Sequence, residues 1–454
     1  MAAGKGTRMK SSLPKVLHRL AGRALVSHVV DTALRIQARK VVVVTGHGAN
    51  EVETALAGAF ATAPLEFARQ VPQLGTGHAV QQAQSHLDDD GITVILSGDV
   101  PLIGTDTLQG LIAASAGRRL ALLTIDFEDP TGYGRILRDG EGVQAIVEQK
   151  DATPEQRQIR EVYSGVMAVP TRLLKPWLAR LDNKNAQGEY YLTDIVRLAT
   201  VDGVAVVAHR TEDALQVAGV NDPLQLAQLE RAFQQRQAQA LMRQGVRMAD
   251  PARFDLRGTL VCEADVEIDV NCVFEGAVSL GAGARIGANC VIANARIENG
   301  AVIHPFTHID GEKAGVTVGH ASLIGPFARL RPGARLGPEV HIGNFVEIKN
   351  STLAAGAKAN HLAYIGDATV GARVNYGAGS ITANYDGANK HRTIIGDDVH
   401  IGSNCVLVAP VSIGAGGTVG GGSTVSKSTE PGGLTVARAR QASYPNWQRP
   451  VKKK

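Results

Sequence analysis

Two groups of residues in this chain have types and spacings that could do chemistry. The first begins in "MAAGKGTRMKSSLPKVL", where Gly4 and Gly6 permit backbone conformations closed to other residues and so let successive N–H groups turn toward an anion. Arg8 and Lys15 add positive charge, and the chemistry suggested is the holding of phosphate. A lone Gly-rich loop is equally an ordinary strand-to-helix turn. Here a second such loop follows in "QLGTGHA" (73–79), and "SGDVP" (97–101) puts Asp99 at a strand end, where a carboxylate can hold Mg²⁺ against phosphate oxygens. The second group centres on His361 in "AAGAKANHLAYIGD". Histidine is the side chain that titrates near neutrality and can serve as a general base. His361 is preferred to His304, His308, His320 and His341 because it lies where a surrounding repeat breaks, although a solitary histidine on a repeat surface is otherwise a solvated residue.

Both groups need elements to position them. From residue 1 to about 221, β-branched runs such as "KVVVVTG", "GITVILSGD" and "LALLTI" alternate with amphipathic stretches, the pattern of a parallel sheet covered by helices on both faces. Ligands in such folds bind at the carboxyl ends of the strands, where Asp99 is placed. Residues 222–244 read as one helix, with Asp222 as cap, Pro223 in the first turn and Gly245 as stop. Beyond residue 250 a six-residue period appears. It runs through Val318, Ile324, Leu330, Leu336, Ile342 and Ile348, and again through Ile395, Ile401, Leu407, Ile413, Val419 and Val425. Such a ladder predicts a parallel β-helix, interrupted at 355–361 and 382–392. The expected domains are residues 1–223, a helical linker at 224–244, and 245–454.

The totals agree. A chain of 454 residues exceeds one core, and 51 glycines with 4% aromatic residues suit a repetitive, turn-rich architecture. A net charge of +4 with no Lys/Arg stripe argues against a nucleic-acid partner. Cys262, Cys272, Cys290 and Cys405 show no CxxC pair and no zinc spacing, so reduced thiols are expected. No apolar run of about 18 residues exists and no signal-peptide pattern appears, which predicts a cytoplasmic protein without membrane insertion.

The motifs "AAGKGTRM…LPKVL", "QLGTGHA", "GDVPL", "DPTGYGRI", "VEQKDAT", "NAQGEYYLTDI" and "GVND", followed by "GNFVEIKN", "NHLAYIGD" and "NYDGANKHRT", resemble those of the bacterial GlmU family across essentially the whole chain. That family couples a sugar-1-phosphate uridylyltransferase to a glucosamine-1-phosphate N-acetyltransferase. The resemblance implies an α/β nucleotidyltransferase with a Rossmann-like, mixed and mostly parallel sheet, then a helical linker and a left-handed parallel β-helix. It implies synthesis of UDP-N-acetylglucosamine from glucosamine 1-phosphate, acetyl-CoA and UTP. By position, Ala2, Ala3, Gly4, Lys15, Gln70, Gly75, Thr76, Ser97, Gly98 and Asp99 would bind the nucleotide. Gly134, Glu148 and Tyr163 would hold the sugar, and Asp99 with Asn221 would hold Mg²⁺. Arg8 and Lys15 would support uridylyl transfer. In the other half, His361 would be the base, oriented by Glu347. Arg331, Lys349, Tyr364, Asn375 and Lys390 would bind the sugar phosphate. Acetyl-CoA would lie along Ala378, Asn384, Tyr385, Ser403, Gly421 and Arg438, with the Ala378 N–H as oxyanion donor.

Departures from the family pattern stand at Tyr163, usually Asn; Ala363, usually Thr; Tyr376, usually a small aliphatic and here expected at a coil corner; and Gly421, usually Ala. In the family an aliphatic strand leads into the first loop, and Met1 stands where that strand's last Leu would be. The first strand is therefore expected to be missing and the natural start to lie upstream. Related hexapeptide acyltransferases are trimers, so a homotrimer is expected. Alternative readings are a pyrophosphorylase whose β-helix only assembles it, an acetyltransferase whose first half is disabled, and a catalytically dead scaffold.

Overall fold

The computed structural model describes residues 1–140 and 142–452. The chain forms two compact units, Met1–Ala232 and Phe233–Lys454.

In the first unit the elements run α1 (Leu25–Arg35), β1 (Val41–Thr45), α2 (Ala49–Ala59), β2 (Leu65–Arg69), α3 (Thr76–Ala83), β3 (Ile92–Ile95), α4 (Thr105–Ser115) and β4 (Leu120–Asp126). They continue β5 (Gly134–Asp139), β6 (Gly142–Val147), β7 (Glu161–Pro170), α5 (Thr171–Ala179), α6 (Asp194–Val201), β8 (Val206–Arg210), α7 (Ala214–Val217) and α8 (Pro223–Arg243). The β-branched runs form β1, β3 and β4 as expected. β1 and β2 pair in parallel, and so do β8 and β4. The sheet is mixed because β5, β6 and β7 follow one another with no α-helix between them, and strands joined without a crossover pair antiparallel. β7 runs against β3, β4 and β5 alike. Its carboxyl half, Met167–Pro170, pairs with β3, and its amino half, Val162–Tyr163, with β5. Between them Gly165 takes φ +88° and the register against β4 shifts. A crevice opens at this point, where β3 ends and β5 takes over. Helix α8 starts as read: the Asp222 carboxylate accepts the Gln225 N–H at 2.8 Å, satisfying a donor the first turn leaves open.

In the second unit both six-residue series point inward, every member being at most 3% exposed. Consecutive members fall on different walls, and the parallel pairs are Val318 with Leu336, Ile324 with Ile342, and Leu330 with Ile348. Each partner lies 18 residues on, so three hexads make one coil of a three-walled β-helix. The expected interruptions have a structural form. Ile342 pairs with Ala359 and Ile348 with Ile365, a coil of 17 residues, whereas Val370 pairs with Ile395, 25 residues away, because the segment 384–392 loops out.

Tyr376 is not at a coil corner. It occupies an inward ladder position at 2% exposure, directly over Ala359, whose missing bulk makes room for the ring. Its hydroxyl has no hydrogen-bond partner among the described residues. The four cysteines are free thiols, and burial pushes Cys272 up to about 12 and Cys262 and Cys290 up to about 11. No helix among the described residues is long and apolar enough to cross a membrane.

An orphaned buried hydroxyl costs free energy, and removing it at constant shape relieves that cost. Tyr376→Phe should therefore leave the denaturant midpoint unchanged or raise it, whereas Tyr376→Ala should lose about 3–5 kcal/mol in equilibrium urea unfolding of the β-helix.

Candidate functional site

The loop after Met1 is held at both ends. Ala2 donates its N–H to the Val44 carbonyl at 2.7 Å, and Ala3 accepts the N–H of His47 at 3.2 Å. Gly6 lies at φ +57°, and a Cβ there would stand 2.6 Å from the Lys15 Cβ. The glycine thus lets the loop fold over the Lys15 stem and aim its ammonium into the crevice. That ammonium is hydrogen-bonded to the Asp99 carboxylate and lies 3.3 Å from Asn221 Oδ1. Asp99 and Asn221 come from different loops, joined by the Val220 N–H bonded to the Asp99 carbonyl at 2.9 Å. Two hard oxygen donors therefore converge on one cation. That donor set suits a divalent ion completed by water and phosphate oxygens, so the residues fit Mg²⁺. Gly98 is bonded to the Met1 carbonyl at 2.8 Å, and Arg8 and Gly4 are exposed on the loop.

The predicted base-reading residues also meet. Gln70 is buried and donates to the Gly75 carbonyl at 2.9 Å. Gly75 has φ +111°, and a Cβ on it would collide with the Tyr190 carbonyl at 2.6 Å. Thr76 accepts the Leu192 N–H at 3.0 Å. On the sugar side, Gly134 and Tyr163 are paired in register across β5 and β7. A Cβ on Gly134 would stand 3.7 Å from the Glu148 carboxylate. Burial raises the Glu148 carboxyl above its ordinary value, opposed by the Thr193 hydroxyl, which donates to it at 2.9 Å. The Tyr163 hydroxyl is buried without a partner, and burial with the nearby Glu148 charge pushes it well above the usual phenol value. Ser97 lies 3.4 Å from the Cβ position of Gly165, at the bend of β7.

On the β-helix the expected pairing of Glu347 with His361 is not formed. The coil register sets Asn344 against His361 and Glu347 against Tyr364. His361 Nδ1 meets Asn344 Oδ1 at 3.1 Å, while the Glu347 carboxylate takes Arg331 at 2.7 Å and Arg329 at 3.5 Å. Glu347 thus positions an arginine, and Asn344 the histidine. Next to Glu347 the wall carries Tyr364 and Lys349. Lys390 lies close enough to Lys349 that its ammonium is lowered below the ordinary lysine value by that neighbour. Two crowded ammonium groups beside an arginine make a site that favours an anion.

Asp367, not singled out from the sequence, ties this site together. Burial would raise its carboxyl, but hydrogen bonds from Asn350 and Asn384 and the charges of Lys349 and Lys390 hold it below the ordinary value. Lys349 Nζ lies 3.7 Å from it. Its signal was the Asp that closes "YIGD". Asn375 lies on another wall, exposed, in register with Lys358 and His400.

The residues expected along acetyl-CoA form a column up one corner. The Ala378 carbonyl accepts from Asn404, the Ser403 carbonyl accepts from Gly422 at the same 2.8 Å, and Arg438 donates to the Gly421 carbonyl at 2.5 Å. Gly379, next to Ala378, donates to the His361 carbonyl at 3.3 Å, so the column rises from the histidine. Asn384 and Tyr385 start the outward loop, which is braced by Asp386 gripping His391 at 2.6 Å.

Comparison with known proteins agrees with both halves. Residues 1–187 match the MobA-like NTP transferase domain, and residues 392–427 match the bacterial transferase hexapeptide with six repeats. The whole chain is 72% identical to the bifunctional protein GlmU of Albidiferax ferrireducens, covering 99% of that protein. It is 71% identical to that of a Polaromonas strain, covering 97%, and 56% identical to that of an Azoarcus strain, covering 99%. The chain belongs to the GlmU family. Within GlmU the Asn344–His361 contact joins residues exactly one short coil apart, a relation invisible until the coil length is known. Asn344 Oδ1 fixes the proton on Nδ1 and leaves Nε2 free to accept another. Asn344→Ala should cut kcat for acetyl transfer about tenfold or more with little change in KM for acetyl-CoA. Asn344→Asp, which keeps an acceptor and adds charge, should retain activity and move the midpoint of the kcat–pH profile upward. A fall in KM and kcat together for both variants would assign Asn344 a merely structural role.

Proposed function

We propose that the two sites divide one synthesis. The chain is a bifunctional transferase that acetylates glucosamine 1-phosphate from acetyl-CoA and then transfers uridylyl from UTP to N-acetylglucosamine 1-phosphate, releasing pyrophosphate. The observation that carries this reading is a pair of anion-directed clusters in one chain: Lys15 between Asp99 and Asn221, and Lys349 with Lys390 near Arg331.

On the β-helix, Arg331, Lys349 and Lys390 would bind the sugar phosphate with Tyr364, and Asn375 would contribute from the adjoining wall. His361 Nε2 would take the proton as the sugar's amine nitrogen attacks the thioester carbon. The Ala378 N–H would steady the oxyanion, and the thiol of CoA would leave with a proton returned to sulfur. Asn384, Tyr385, Ser403, Gly421 and Arg438 would line the path of acetyl-CoA. At the other site, Gln70, Gly75 and Thr76 would hold the uracil, and Gly134, Glu148 and Tyr163 the sugar. Ala2, Ala3, Gly4, Ser97 and Gly98 would line the nucleotide. The sugar phosphate is an ionised nucleophile, so this site needs no general base. Lys15 and Arg8 would neutralise charge as the α-phosphate is attacked and pyrophosphate departs. Asp99 and Asn221 would hold Mg²⁺, which when bound supplies further charge neutralisation on the phosphates. The corresponding domain division is 1–223, 224–244 and 245–454, in a cytoplasmic homotrimer associating through the β-helix.

Separate assays of the two half-reactions test the assignment. His361→Ala should abolish CoA release from glucosamine 1-phosphate, by about 10²–10⁴-fold, while pyrophosphate release from N-acetylglucosamine 1-phosphate continues at the parental rate. Lys15→Ala should do the reverse. Loss of both activities in either variant would contradict the division. Sedimentation equilibrium should return three chains per particle, and a stable, active monomer would refute the trimer.

A further inference from the structure

A second feature of the first unit belongs to neither site. β1 is hydrogen-bonded to β2 alone and β3 to β7 alone, so each presents an open backbone edge, and the two edges face one another. Between them lies an apolar cavity of about 390 Å³, lined along its length by Val41–Val44 and Ile92–Ile95. At one end the edges are already bridged. Ala2 pairs with Thr45 in parallel and donates to Val44, while Met1 donates to the Leu96 carbonyl at 2.7 Å and accepts from Gly98 at 2.8 Å. These bonds are one rung of a strand lying parallel to both β1 and β3. The spacing between the edges is therefore that of two strands flanking a third, roughly twice the usual 4.8 Å.

The walls specify the occupant. Val26 and Val30 of α1 pack in one cluster with Val43, whereas Ala79 and Ala83 of α3 pack with Val44. Neighbouring strand residues point to opposite faces, so α1 and α3 roof the slot from opposite sides. Both roofs are apolar and built of small side chains, which leaves room for large aliphatic groups alternating up and down. By the same alternation, the N–H and C=O groups of Val42 and Ile92 and of Val94 turn into the slot, as those of Val44 and Leu96 do where they meet Ala2 and Met1.

We propose that this slot is a docking site for one extended, apolar, β-branched peptide segment of about five residues, inserted parallel to β1 and β3 with its carboxyl end at Met1. Backbone hydrogen bonds to both edges would supply affinity, and the two valine- and alanine-lined roofs would select the side chains.

The test adds to the full chain a synthetic peptide of five Val and Ile residues behind two solubilising lysines. Hydrogen exchange should show protection of the Val42, Ile92 and Val94 amides rising at least tenfold on saturation, and the first unit's melting temperature should rise with peptide concentration. A peptide with Asp at its second and fourth apolar positions should do neither. Unchanged exchange at saturating peptide would overturn the proposal. So would protection without peptide that grows with protein concentration, because the slot would then take a second copy of the chain.

Discussion

The parallel stacking of coils is the constraint on which the second unit depends. A backbone hydrogen bond between coils fixes each residue above the one a coil earlier, and the buried aliphatic ladder fixes which residues can face inward. Everything outside the ladder inherits its place from that register. Ala378, Ser403, Gly421 and Arg438 form a column because they occupy the same corner of successive turns, and Asn344 meets His361 because they are one coil apart. The first unit works differently. There the residues come from loops at the ends of unlike strands, and the reversed β7 with its bend at Gly165 brings Tyr163, Gly134 and Ser97 to one crevice.

Much of this was legible in the sequence. The hexads gave the ladder residue for residue because burying an aliphatic side chain every sixth position leaves no alternative register. The helix over 222–244 was equally plain, since Asp222, Pro223 and Gly245 mark its ends chemically. The convergence of Lys15, Asp99 and Asn221 came through motif resemblance, as no spacing rule links positions so far apart in the chain.

What was not legible turned on lengths and directions. A break in the hexad pattern tells that a coil is irregular but not whether it is shorter or longer. Glu347 was therefore assigned to His361, when the 17-residue coil sets Asn344 there instead. Tyr376 was read as a corner residue because a tyrosine is an unusual member of an aliphatic ladder, and only the small Ala359 beneath it explains the fit. Asp367 escaped notice because its importance lies in the four groups it gathers from three different stretches of chain.

The short coil has an evolutionary consequence. In most folds a site is tuned by exchanging side chains, and a change of length is absorbed in a loop. In a stack whose register runs from coil to coil, deleting one residue acts as a three-dimensional frameshift: the hydrogen-bonded rungs are kept while outward residues slide past those below. Asn344 under His361 is one such alignment, reached by subtraction along the chain rather than by a new residue type. Variation in coil length between relatives is thus a route to new surface chemistry that leaves the core composition untouched.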